Sequence, residues 1–354
     1  MVLGVVLAAV LAAGTTVLVA RNHRGAPEAG SAVDWTHSEA AAAKPAQAGE
    51  LELVQLSSNW QNQSAQQQTE SAGQVREALA DVQISLREAG SGLGRLSPRP
   101  GAPQALPSIL AAVRLYGESA GLLGSATLIA DVPLRQQVLL ESIRVRFLGD
   151  RLYAAARALP APGGPADPLI HFEPGPPIPD WASMAAGDKC LQEGSCASLE
   201  PGPPLDDKVA LTAPTIGATG PAEPTSRWVS AVGDLHILGA ASETTAITGS
   251  SAPVAQLVAR TLGEDRERVA ALTPPGDAAV GYRLQIALLV DAEAARSAQS
   301  AALGGDQARA SLIVMARALA ATGDSLWDTE LLGPRSTGLS QVVVNLPDLP
   351  WYPR

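Results

Sequence analysis

The chain has 354 residues, of which 25 are basic and 35 acidic, for a net charge of −10. That balance argues against a general nucleic-acid binder, which needs a basic face to replace phosphate counterions. Two cysteines exclude a disulfide scaffold and a four-cysteine zinc site. Aromatic residues are only 3% of the chain, and Gly 33 with Pro 28 predict long stretches outside any packed core.

The first predicted element is an uncharged run, Val2–Ala20. As a helix rising about 1.5 Å per residue it would reach roughly 28 Å, near the thickness of a bilayer's hydrocarbon. A cleaved signal peptide would need a basic leading region, and its small-residue site, Ala12-Ala13-Gly14, would fall inside the run. The expectation is therefore an uncleaved single-pass transmembrane anchor over 2–20, in contact with membrane lipid. Arg21 and Arg24 follow it, and the positive-inside rule would place the remainder in the cytoplasm. A stalk-like segment and a closely spaced cysteine pair favour the outside instead. The expected location is the cell membrane, bulk outside, with the cytoplasmic side left open.

Residues 21–50, rich in Ala, Gly, Ser and Pro, predict a flexible tether. From Leu51 the periodicity turns helical, with Leu53, Leu56 and Trp60 stepping by three and four. A glutamine-rich stretch precedes Val75, Leu79, Val82 and Leu86, which mark one helical face before Gly90, Gly92 and Gly94. That stripe suits packing within a bundle or self-association. Pro107 opens a further helix, and Asp131 with Pro133 starts another whose charged side holds Arg135, Glu141, Arg144, Arg146, Asp150 and Arg151. Residues 51–159 thus predict an antiparallel bundle of three or four helices.

Fourteen prolines between Pro160 and Pro224 make 160–226 a predicted linker. Residues 227–354 read as a small acidic α/β or α+β domain. Its strands would be Trp228–Val232, Leu235–Leu238 and Gln341–Leu346, with Tyr282–Val290 strand or helix. Its helices would follow Pro253, stopping at Gly263, and span Asp306–Thr322. The fold class is mainly α with a mixed α/β C-terminal part, and no internal repeat is evident. The acidic excess lies in 160–354, with 12 basic and 22 acidic groups, and reads first as a solvated surface.

One motif could carry chemistry. Gly117-Glu118-Ser119-Ala120-Gly121 has the G-x-S-x-G spacing in which flanking glycines let a strand-to-helix turn lift a serine hydroxyl out of the backbone. It resembles the nucleophile elbow of α/β-hydrolases and the local string of carboxylesterases. The resemblance implies Ser119 as nucleophile. It covers about ten residues, with no upstream His-Gly-Gly loop, and only His171 and His236 follow as bases. A place inside or at the end of a helix is the plainer reading.

Cys190 and Cys196 suit either a small disulfide loop or two free thiols. Asn62-Gln63-Ser64 fits a glycosylation sequon, and Asp206-Asp207 and Glu264-Asp265 read as solvated loop charges. No residue is assigned as catalytic, cofactor-binding or metal-ligating. The expected role is a membrane-anchored, non-catalytic structural or interaction component of the cell envelope. It would have a protein partner or self-association and no nucleic acid. The alternative is a membrane-tethered esterase-like serine hydrolase using Ser119.

Overall fold

A computed structural model describes residues 32–99, 102–158, 251–272 and 278–332, with residues 228, 231–233, 235 and 247–248 between them. Seven long helices run through these residues: α1 (Ala32–Gln61), α2 (Ala65–Leu93), α3 (Ala105–Ala126), α4 (Val132–Ala158), α5 (Ala252–Ala271), α6 (Ala278–Leu303) and α7 (Asp306–Leu332). Among the described residues there is no strand.

Local signals account for several boundaries. Ser64 caps α2: its hydroxyl accepts from the Gln67 amide at 3.3 Å, and the Gln67 side chain accepts from the Ser64 amide at 2.9 Å. This use of Ser64 places the Asn62 sequon in a tight inter-helix turn. Asp131 starts α4 by accepting from the Leu134 amide at 2.9 Å. Gly94 supplies the C-cap of α2, whereas Gly90 and Gly92 lie within the helix. α5 likewise runs on through Gly263 to Ala271.

The helices pack as hairpins. α1 lies on α2, α3 on α4 and α6 on α7, while α2 and α5 flank α3 and α6. The two central hairpins then face each other, α3 against α7 and α4 against α6. The outer pair buries a one-sided stripe of Leu53, Trp60, Leu79, Val82 and Leu86. α3 and α6 are enclosed all round, with every residue of 108–126 and of 281–301 buried. Small residues permit this, since Ala, Gly and Ser let neighbouring backbones approach.

Four expectations are corrected. Among the described residues no helix is long and apolar enough to cross a membrane, which overturns the single-pass, signal-anchor and cell-membrane reading; residues 2–20 themselves lie outside the described residues. Residues 32–50, expected as tether, form the first part of α1, which runs through Pro45. The alanines in this stretch favour helix, and Ala43 and Ala46 are buried in the core. Residues 251–272 and 278–332, expected in a mixed α/β domain, are helical. Tyr282–Val290 is part of α6, where enclosure on every side removes the periodicity that would have distinguished helix from strand. Glu264-Asp265 lies in α5, and Asp265 is buried beside Arg268 at 2.8 Å. The strand expected at Gln341–Leu346 and the linker 160–226 lie outside the described residues.

Candidate functional site: a polar seam between two hairpins

The face where α3–α4 meets α6–α7 is lined with ions and hydroxyls. α4 and α6 contribute the largest group. Arg144 donates to both oxygens of Glu293, Nε to Oε1 at 2.8 Å and Nη2 to Oε2 at 3.2 Å. Arg296, one turn along α6, adds a 2.8 Å contact to the same carboxylate. All three side chains are buried. A fork of this kind is the geometry in which a guanidinium best offsets the desolvation of its partner.

Glu141 sits one turn before Arg144 on α4 and is fully enclosed. Ser300 donates to it at 2.8 Å, Gln137 at 3.2 Å and Ser297 at 3.4 Å. These are neutral donors, so burial dominates. It pushes the carboxyl up to about 7, with Glu293 adding to the rise and Arg144 opposing it.

The α3–α7 side has a matching charge. Arg114 donates to Glu118 Oε1 at 2.9 Å and reaches the Ala318 carbonyl on α7 at 3.2 Å. Thr322 of α7 donates to the same Glu118 oxygen at 2.7 Å. Glu118 Oε2 has no hydrogen-bond partner among the described residues. Burial raises the Glu118 carboxyl, while Arg114 and Thr322 pull it back down. Ser125 and Ser311 close this side, their hydroxyls 2.7 Å apart.

A second, half-buried group lies where α4 meets α1 and α3. Arg146 bridges Asp150 at 2.9 Å and Glu50 at 3.0 Å. Burial lifts Asp150 to about 6, with Arg146 opposing and Glu50 reinforcing the shift. Burial beside Asp150 also drives the Tyr116 hydroxyl well above its usual range. Arg135 spans the α2–α4 junction, donating to the Ile129 carbonyl at 2.9 Å and the Ala65 carbonyl at 3.3 Å.

Ser119 lies in the middle of α3, 1% exposed. Its hydroxyl is 2.8 Å from the Ser142 carbonyl and 3.1 Å from the Ser142 hydroxyl, and Ser142 donates back to the Ser119 carbonyl at 2.8 Å. No strand precedes it, so the strained turn that makes an elbow is missing. Gly117 and Gly121 are instead buried helix residues, and the Gly117 carbonyl accepts from Gln83 of α2 at 2.8 Å. His171, His236, Cys190, Cys196 and Asp206-Asp207 lie outside the described residues. Among the described residues no cluster of three or more metal-ligating side chains occurs.

The charged side of α4, placed by the sequence only as the face opposite the apolar one, is covered over much of its length. Arg135, Glu141 and Arg144 are buried, because α2 and α6 cover them with partners that sequence distance concealed. Glu118 was visible only as the variable residue of a serine motif. The signal available was its spacing from Arg114, an i, i+4 pair on an otherwise apolar helix.

Comparison with protein-family models, with curated proteins and with solved structures yields no match.

Proposed function

We propose that this protein is a non-catalytic structural or protein-interaction component. One observation supports the reading. Three of the groups with chemical potential in the described bundle are committed to holding helices together: Ser119 to Ser142, Glu293 to Arg144 and Arg296, Glu141 to Ser297 and Ser300. A nucleophile needs access to substrate and a base within reach, and Ser119 is enclosed between α3 and α4. A bundle braced by internal ion pairs is suited to presenting a fixed outer surface.

The full-length protein, treated with a fluorophosphonate serine probe, is expected to remain unlabelled. Ser119→Ala should lower thermal stability, by about 1 kcal/mol for the lost hydrogen bonds, and leave probe reactivity unchanged. Labelling that disappears in Ser119→Ala would replace this reading with the hydrolase.

A further inference from the structure

No repeat is evident along the chain by itself, but once the two central hairpins are matched by their packing, residues recur between them at corresponding positions. Along α3 and its exit, Glu118, Ala120, Ser125, Ala126 and Asp131 recur at identical spacing along α6 as Glu293, Ala295, Ser300, Ala301 and Asp306. In the second helix of each hairpin, Gly149-Asp150, Leu152 and Tyr153 recur as Gly323-Asp324, Leu326 and Trp327. Their burial corresponds as well: Val138 matches Leu312, Val145 matches Leu319, and all four are fully enclosed.

The packing obeys the same relation. α3 pairs with α4 as α6 pairs with α7, and α3 meets α7 as α6 meets α4. This crossed pattern is what a two-fold rotation exchanging the hairpins requires. Individual contacts follow. Gly149 receives Tyr116, and a methyl there would stand 2.8 Å from the ring at Cε1; Gly323 receives Asp291, and a methyl there would overlap the carboxylate. Tyr116 and Asp291 occupy the same position relative to Glu118 and Glu293. Across the seam Ser125 meets Ser311 at 2.7 Å, and the rotated contact joins Ser300 to Gln137 at 3.0 Å. Spacing alone could match by accident in an alanine-rich chain. Two inter-hairpin contacts and two intra-hairpin contacts falling on rotated positions do not follow from composition.

We infer that the hairpins α3–α4 and α6–α7 are two copies of one helical unit. The seam is accordingly a self-pairing surface whose partner is another copy of that unit, supplied here by the same chain. The inference is independent of whether the protein is catalytic. It explains why ionic and hydroxyl groups lie at the centre: an interface between self-associating units carries polar groups that fix orientation and register, where a continuous apolar core would not.

The test uses the full chain. Ser311→Gln gives α7 the side chain that α4 holds at the rotated position, and Gln137→Ser does the converse. Ser311→Leu and Gln137→Leu are the size-matched controls. The swapped variants are expected to melt within about 3 °C of the parent, and the leucine variants more than about 10 °C below it. Circular dichroism melts of the four proteins decide the matter. If glutamine and leucine at 311 behave alike, whether both are tolerated or both destabilise, the rotated position has no special match to its counterpart and the duplication is overturned. The same holds for serine and leucine at 137.

Discussion

The α1–α2 hairpin and the α3–α4–α6–α7 centre reach the same packed state by different means. The outer hairpin buries an apolar stripe of Leu53, Trp60, Leu79, Val82 and Leu86, with a glutamine-capped turn at its tip. The centre buries Arg114, Glu118, Glu141, Arg144, Glu293 and Arg296 among alanines and serines. Hydrophobic burial is non-directional and tolerates small shifts. Buried ions tolerate none, because each must meet its partner or be left desolvated and alone. The outer hairpin therefore gives bulk stability, whereas the centre adds a fixed register between hairpins.

Substitutions can break or sharpen that contrast. The largest effect is expected from Arg144→Ala, which leaves Glu293 with Arg296 as its remaining partner and deprives Glu141 of its nearest cation. The loss should be about 3–5 kcal/mol by chemical denaturation. If Arg144→Ala costs less than about 1 kcal/mol, the seam is not the brittle element. Leu79→Ala, in the apolar stripe, should cost about 3 kcal/mol through lost transfer energy and the cavity left behind. It should do so equally at every pH.

The pH dependence separates the two regions most directly. Glu141 has an ordinary value of 4.5 and rises to about 7 when folded. Below 4.5 it is protonated in both states and costs nothing. Between 4.5 and about 7 the folded protein keeps a proton that the unfolded chain releases, so stability falls as pH rises through that window. Above it the penalty is constant, at most about 3 kcal/mol. Asp150, raised from 3.8 to about 6, acts in the same direction over a lower window. Melts between pH 5 and pH 8 should therefore show the parent losing stability. Glu141→Gln should be more stable than the parent at pH 8 and flatten the profile, leaving the slope from Asp150 and from Glu118, which burial also raises. A parent whose melting temperature rises over that range would contradict this assignment. The smallest effect is expected from Ser64→Ala, which removes one side of the α2 cap at an exposed position, about 1 kcal/mol.

Legibility followed the same division. In the outer hairpin the stripe Val75, Leu79, Val82, Leu86 was readable because one face meets the core and the other meets water. At α4 the cap at Asp131 was readable for an equally local reason. Over 281–301 of α6 nothing faced water, so Tyr282–Val290 gave no period and helix could not be told from strand. The first part of α1 was mistaken for tether because alanine favours helix and is equally common in loose segments. At the seam, Glu141 and Arg144 read only as a charged side because their covering residues, Ser300 and Glu293, stand far along the chain. Ser119 sat in a pattern whose meaning depends on a preceding strand, and α3 supplies a helix instead.

By itself the sequence determined which segments are amphipathic helices and where several of them begin, since those depend on neighbours within a few residues. It also determined the acidic balance and the scarcity of cysteine. Only the tertiary structure decided that the charges of α4 lie inside, that Ser119 is spent on Ser142, and that the two central hairpins face each other in a crossed arrangement. Burial and ion pairing depend on what packs against a side chain, and here the partners come from the other half of the molecule.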